Sequence, residues 1–173
     1  MKQLLPLVIL ALLLFPSCDK NNNEVPAPTS STVVKVYLHD QPAEYQQVNI
    51  DIQEVLIKGY GNNDEIDMAD NAGVYNLLDY QNGLDTLLGE ITIDYDSISQ
   101  IRLVLGPDNS VMVDSVLYPM DTPSAQQSGL KILINGAVNY VDTLVISLDF
   151  DANESVHQLG NGTYQLHPVI HQD

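Results

Sequence analysis

The sequence predicts an all-β protein, a single β-sandwich with at most one short helix. Three observations carry this expectation. Short runs of alternating apolar and polar residues recur along the chain. Turn-forming clusters such as Pro107-Asp108-Asn109, Asp114-Ser115 and Gly160-Asn161-Gly162 separate many of them. Helical spacing occurs at only one place. Many short strands at close spacing imply two packed sheets with Greek-key connections, immunoglobulin-like or prealbumin-like.

The elements follow in order. Thr32 to His39 places Val34, Val36 and Leu38 on one face and Val33, Lys35 and Tyr37 on the other, until Asp40-Gln41-Pro42 breaks the run. Val48, Ile50 and Ile52 alternate with Asn49, Asp51 and Gln53, and Leu56-Ile57 continue that strand past an irregularity at Glu54-Val55. Tyr60 to Asp70 reads as a loop, and Val74 to Asp79 as a short strand. Leu84, Leu87 and Leu88 share a helical face, with Asn82 placed to cap the start and Gly89 to end it. Glu90–Asp94, Ser99–Leu105, Ser110–Val113, Val116–Met120, Leu130–Asn135 and Thr143–Phe150 read as strands. Ser155–Leu159 and Thr163–His171 close the domain around Asn161-Gly162, a strong hairpin signal. Asn161-Gly162-Thr163 also matches a glycosylation sequon, read here as turn chemistry.

Upstream of the domain the chain reads as processing signals. Met1-Lys2 precedes a twelve-residue apolar run, Leu4 to Phe15, then Ser17 and the chain's only cysteine, Cys18. A spanning helix needs roughly 20 apolar residues, so the run is expected to be a leader. A lone cysteine at the cut is what a bacterial lipoprotein needs for acylation. We expect a signal peptide at 1–17, a lipidated Cys18 with a polar tether at 18–31, and a β-sandwich at 32–172. The tether, with Asn21-Asn22-Asn23 and Pro26-Ala27-Pro28, has no apolar period. The expected location is the bacterial cell envelope, at its periplasmic face or the cell surface.

Charge narrows the partners. Six basic residues face 23 acidic ones, a formal net charge of −17. Nucleic acid demands a basic footprint, so it is not an expected partner. The balance favours solubility and attraction of cations. One cysteine allows no internal disulfide, so the apolar core must hold the domain.

Several segments together resemble a known family. These are Tyr37-Leu38-His39-Asp40-Gln41-Pro42-Ala43-Glu44-Tyr45, Val48-Asn49-Ile50-Asp51-Ile52 and Tyr75-Asn76-Leu77-Leu78-Asp79-Tyr80-Gln81-Asn82-Gly83. Further along they are Gln100 to Gly106, Asn109 to Asp114, Gln127 to Ile132, Leu148 to Ser155 and Tyr164 to Ile170. In this order they resemble the domain of unknown function 4382 family of bacterial and archaeal secreted lipoproteins. Asp94-Tyr95-Asp96 departs from the Gly-x-Tyr expected of relatives. The resemblance implies an envelope-associated β-sandwich and lends no catalytic residues.

Candidate chemistry rests on a few side chains. Asp149, Asp151 and Asn153 place oxygens at alternate positions, the start of a calcium loop. Glu154 stands where an EF-hand needs Gly and Gly160 where it needs Glu, so an EF-hand is excluded. In a strand, Asp149 and Asp151 would share one face and could meet calcium with a neighbouring loop; the plainer reading turns both to water. Arg102 and Lys131 are the only basic residues beyond Lys58, and each is expected in a structural ion pair, with Asp149 or Asp151 among the partners. His167 and His171 lie ~13 Å apart in a strand. His157 and His167 meet across the last hairpin only if its turn has three residues, and no third zinc ligand is evident. No Gly-x-Ser-x-Gly, His-Glu-x-x-His or phosphate-cradling loop occurs. Tyr60, Tyr75, Tyr80 and Tyr95 lie near loops and could stack on a glycan.

The expected function is a non-enzymatic binding or structural module displayed from the membrane, with an envelope protein or glycan as partner. One alternative is a carbohydrate-active or other hydrolytic enzyme using a carboxylate pair. Another is a calcium-stabilised adhesion domain.

Overall fold

A computed structural model describes residues 31–61, 64–68, 71–94, 97–122, 128–137 and 143–173. The leader 1–17, Cys18, the tether to residue 30 and Tyr95 lie outside the described residues. Within them the alternating runs become thirteen strands. They are β1 (Thr32–His39), β2 (Gln47–Gly59), β3 (Glu65–Asp67), β4 (Gly73–Asn76), β5 (Thr86–Ile93), β6 (Ser97–Leu105) and β7 (Ser110–Val113). There follow β8 (Val116–Asp121), β9 (Leu130–Ala137), β10 (Thr143–Phe150), β11 (Val156–Gln158), β12 (Tyr164–Leu166) and β13 (Ile170–Gln172). A one-turn helix, α1 (Ala152–Ser155), separates β10 from β11, and a 3-10 turn, Leu77–Tyr80, follows β4.

Two sheets form the sandwich. The smaller runs β13-β10-β1-β5; the larger runs β11-β12-β8-β7-β2-β6-β9, with β3 and β4 also paired to β2. β1 lies parallel to β10 and antiparallel to β5. The alternation read from the sequence is the alternation of burial. Val34, Val36 and Leu38 of β1 and Val48, Ile50 and Ile52 of β2 are each 0% exposed and belong to one core. Each such side chain contributes about 1.5–3 kcal/mol when fully buried. β2 then changes parity. Its pairing with β6 slips between Ile52 and Glu54, so Val55 and Ile57 also reach the core. A bulge of this kind inserts one residue and turns the side chains after it by one position.

Local turn chemistry explains where the structure departs from the expected elements. The predicted helix over Leu84–Leu88 is absent. Asn82 and Gly83 both have positive φ, 58° and 85°, and Leu84 N–H donates to Gln81 O at 3.2 Å. Two successive left-handed residues make a type I′ turn, so the pair reverses the chain and β5 leaves it extended. Asp114 and Ser115, with φ of 51° and 63°, make the equivalent turn between β7 and β8, as the sequence suggests. The predicted strand Val74–Asp79 stops at Asn76 and becomes the 3-10 turn. The expected loop Tyr60–Asp70 contains β3. The single terminal strand expected at Thr163–His171 divides around Pro168, with β12 in the larger sheet and β13 in the smaller. Proline has no N–H for a ladder; on either side of it, His167 N–H donates to Ser155 O and Val169 N–H to Ser155 Oγ.

Gly89 marks the tightest approach between segments. A Cβ there would lie 2.2 Å from the Met68 carbonyl oxygen, and Met68 is itself held by its N–H donating to Val55 O at 2.8 Å. Gly89→Ala is therefore expected to cost about 2–3 kcal/mol through forced displacement. Urea unfolding should show a lower midpoint at unchanged slope. A change within about 0.5 kcal/mol, the usual scale of a surface substitution, would contradict the crowding.

Candidate functional site

The parallel pairing of β1 and β10 brings the ends of both strands to one place. His39 and Asp149 are register partners there, and Asp149 also pairs with His171 of β13. The chain beyond each strand turns away, leaving amides that need acceptors. Asp40 supplies one: its Oδ1 accepts from Ala152 N–H at 3.0 Å, and its Oδ2 from Gln81 Nε2 at 2.9 Å. Gln81 Nε2 also donates to Gln41 O, and Asp40 N–H to Tyr80 O. Asp151 caps α1, its Oδ1 accepting from Glu154 N–H at 2.8 Å. Asn153 Oδ1 accepts from Glu44 N–H at 3.3 Å while its Nδ2 donates to Pro42 O at 2.9 Å.

Burial pushes the Asp40 carboxyl up from its ordinary value. The two hydrogen bonds oppose that shift, and the nearby charges of Asp149 and Asp151 add to it. Asp149 is 4% exposed. Its Oδ2 accepts from Gln41 Nε2 at 2.6 Å, while its Oδ1 is buried with no hydrogen-bond partner among the described residues. His39 Nδ1 lies 3.8 Å from that oxygen, and His39 Nε2 lies 3.0 Å from Asp173 Oδ2.

This geometry corrects two expectations. Asp149 and Asp151 do not share a strand face, because β10 ends at Phe150 and Asp151 caps the following helix. Nor does Asp149 face water, although Leu148 and Phe150 enter the core as expected. The calcium candidates Asp149, Asp151 and Asn153 thus lie close in sequence while their oxygens serve separate amide donors. Among the described residues no three His, Cys, Asp or Glu side chains converge on a metal position.

The predicted ion pair is relocated. Arg102 lies on the outer face of β6, between buried Ile101 and Leu103. Its partner is Glu65 of β3, reached diagonally across β2, with Arg102 Nε donating to Oε1 at 3.2 Å and Nη2 to Oε2. Asp149 and Asp151 are not its partners; β10, which holds Asp149 and leads into Asp151, belongs to the other sheet. Lys131 is exposed and stands in register with Arg102, adding positive charge near Glu65. The hydrogen bond from Arg102, with its charge, holds the Glu65 carboxyl below its ordinary value, against a smaller opposing effect of burial.

A second carboxylate joint was not singled out from the sequence. Asp51, 2% exposed, accepts from Gln53 Nε2 and from Asp108 N–H at 3.1 Å. Its own N–H donates to Asn109 Oδ1 at 2.9 Å, and Asn109 Nδ2 donates to Gly106 O at 2.7 Å. A Cβ on Gly106 would lie 2.0 Å from Asp51 Oδ2. The loop 106–109 is wrapped round this carboxylate, beside a shallow cleft of about 260 Å³ lined by Pro107, Asp108, Asn109, Ser110, Leu117 and Pro119. The available signal was an Asp on the polar side of an otherwise apolar strand.

The aromatic candidates separate. Tyr60 is 81% exposed, whereas Tyr75 and Tyr80 pack on each other with ring centres 6.2 Å apart. Burial raises the Tyr75 hydroxyl above its ordinary value, and that hydroxyl donates to Asn71 O. His157 and His167 come together, their ring centres 4.9 Å apart; Leu159 N–H donates to Thr163 O, which leaves the three-residue turn Gly160-Asn161-Gly162 that this approach requires.

These features define an acid-rich β-sandwich module whose buried carboxylates tie strand ends to loops. The joints are built from the segments that carry the family resemblance: 37–45 with 75–83 and 148–155, and 48–52 with 100–106 and 109–114. The chain belongs to the family described as Domain of unknown function (DUF4382), whose family model matches residues 31–168. No curated protein and no solved structure matches the chain.

The Glu65 pairing carries a pH signature. Because the folded-state value is lowered, its contribution is present above the ordinary carboxylate range and is lost as pH falls through the lowered value. Glu65→Gln is expected to cost about 1 kcal/mol at pH 7. The gap to the parent should begin to narrow near about pH 4, where free Glu takes up its proton, and close only below the lowered folded-state value. Denaturation at several pH values reads this directly; a gap constant from pH 7 to the acid limit would contradict it.

Proposed function

We propose that this chain is a bacterial cell-envelope lipoprotein, held by an acylated Cys18, whose β-sandwich works as a non-enzymatic binding or structural module. Support for the anchor comes from the sequence: a basic start, a twelve-residue apolar run and a single cysteine, followed by a polar tether. Two or more acyl chains make a durable attachment, since each buried methylene contributes about 0.8 kcal/mol. The observation that carries the module reading is how the family-motif polar groups are used. Asp40, Asp51, Asp151 and Asn153 each accept from a backbone N–H. Groups committed in this way brace loops on a rigid scaffold, the arrangement binding proteins use to present a surface. Exposed Tyr60, at the turn after β2, is a suitable contact for a protein or glycan partner.

A carboxylate-pair hydrolase is the second reading. It draws on Asp40, raised by burial and influenced by Asp149, a perturbation also found in general acids. Turnover of glycan or ester substrates that vanished in both Asp40→Asn and Asp149→Asn variants would favour the enzyme over the module.

Cell fractionation tests the anchor. The parent protein is expected in the membrane fraction and Cys18→Ala in the soluble fraction. A Cys18→Ala chain that stayed with membranes would count against acyl attachment.

A further inference from the structure

We propose that His157 and His167 form a two-imidazole clamp for a divalent transition-metal ion, copper(II) most tightly. The hairpin β11–β12 sets the geometry. His157 is the register partner of Gln165, and His167 is two residues beyond Gln165 on the same strand direction. His167 N–H donates to Ser155 O at 2.8 Å, so the antiparallel ladder continues through it. His157 and His167 are therefore diagonal neighbours on one face of the hairpin. Both side chains are exposed, and their ring centres lie 4.9 Å apart.

That separation suits a shared ion. A metal–imidazole bond of about 2.0–2.1 Å puts the metal roughly 3.2 Å from each ring centre. Two rings then stand about 4.5 Å apart at a right angle of coordination and about 5.2 Å apart at the tetrahedral angle. The observed 4.9 Å lies between. The interplanar angle of 75° is accommodated by turning each ring about its metal–nitrogen bond.

A neighbouring amide prepares one ligand. His167 Nε2 lies 3.2 Å from Gln165 Oε1. The amide oxygen only accepts, so Nε2 carries the hydrogen and Nδ1 keeps its lone pair for the metal. Metal-bound histidines characteristically donate their second ring N–H in this way. Charge adds to the attraction. Gln165 is in register with Asp121 of β8, which places a carboxylate residue in the cross-strand row that begins at His157. The whole chain carries a net charge of −17.

The class of ion follows from the donors. Imidazole suits copper, nickel and zinc, whereas calcium takes oxygen. No third His, Cys, Asp or Glu converges with the pair among the described residues, so water completes the coordination. Copper(II) binds such a nitrogen pair more tightly than nickel(II) or zinc(II), following the general affinity order.

Titration of tag-free full-length protein, purified in detergent, with copper(II), nickel(II) and zinc(II) chloride tests the clamp. One copper(II) equivalent should bind with an electron paramagnetic resonance spectrum of two coordinated nitrogens. Each of His157→Gln and His167→Gln should weaken binding at least about tenfold, because the second ring acts at high effective concentration. A His39→Gln/His171→Gln double variant should bind as the parent does. Both clamp rings are exposed, so the variants should fold, which circular dichroism checks. Copper(II) binding of equal strength in the parent and in either clamp variant would overturn the proposal and leave the rings as a stacking contact only. So would a signal lost in the His39/His171 variant and retained in the clamp variants.

Discussion

The fold depends on the parallel pairing of β1 with β10. Parallel neighbours cannot be joined by a tight hairpin, and here His39 meets Asp149 with the whole larger sheet except β11 and β12 lying between them in the chain. The smaller sheet therefore cannot close until distant parts of the chain have come together, at a substantial cost in loop entropy. Apolar burial supplies most of the return, with Val34, Val36 and Leu38 of β1 facing Ile50, Ile52 and Leu103 in one core. The polar ends need separate treatment. Asp40 reaches Ala152 N–H, a contact between residues 112 apart in sequence, and so fastens the end of β1 to the start of α1. Without an acceptor, a buried amide costs about 1–3 kcal/mol.

Placing carboxylates inside an acidic protein is demanding, because repulsion and desolvation act in the same direction. The structure answers with neutral donors. Asp40 takes a backbone N–H and a glutamine amide; Asp51 takes a backbone N–H and a glutamine amide as well. Arginine is reserved for the outer face, where Arg102 joins β6 to β3 through Glu65 and stands in register with Leu56, buried outside the main core. The two environments set opposite directions for the acids they hold: Asp40 is raised and Glu65 lowered. The joints fasten the strand ends to the loops beside them.

Much of the strand pattern was legible in the sequence because alternation is a local signal. β1, β6, β7, β8 and β10 stand close to where the alternation placed them, and Asp114-Ser115 turns as expected. The failures had physical causes that local pattern does not contain. Leu84, Leu87 and Leu88 have helical spacing, but Asn82-Gly83 takes two left-handed residues and sends the chain out extended. β3 is only three residues long and owes its existence to pairing with β2. The partner of Arg102 depended on which sheet each strand joined, which no local spacing encodes. Asp149 and Asp151 looked equivalent until the strand ended between them. The histidine pair turned on the length of one hairpin connection.

β1 and β10 are the two inner strands of the smaller sheet, and β1 is held on both sides over most of its length. Native-state hydrogen exchange tests this most directly. If the pairing with β10 is the constraint on which the fold rests, amides of β1 and β10 should exchange together, among the slowest in the molecule, and only with global unfolding. Exchange of β1 far faster than β10, with β2 and β6 still protected, would show that the first strand is an accessory to the sandwich and would contradict the account.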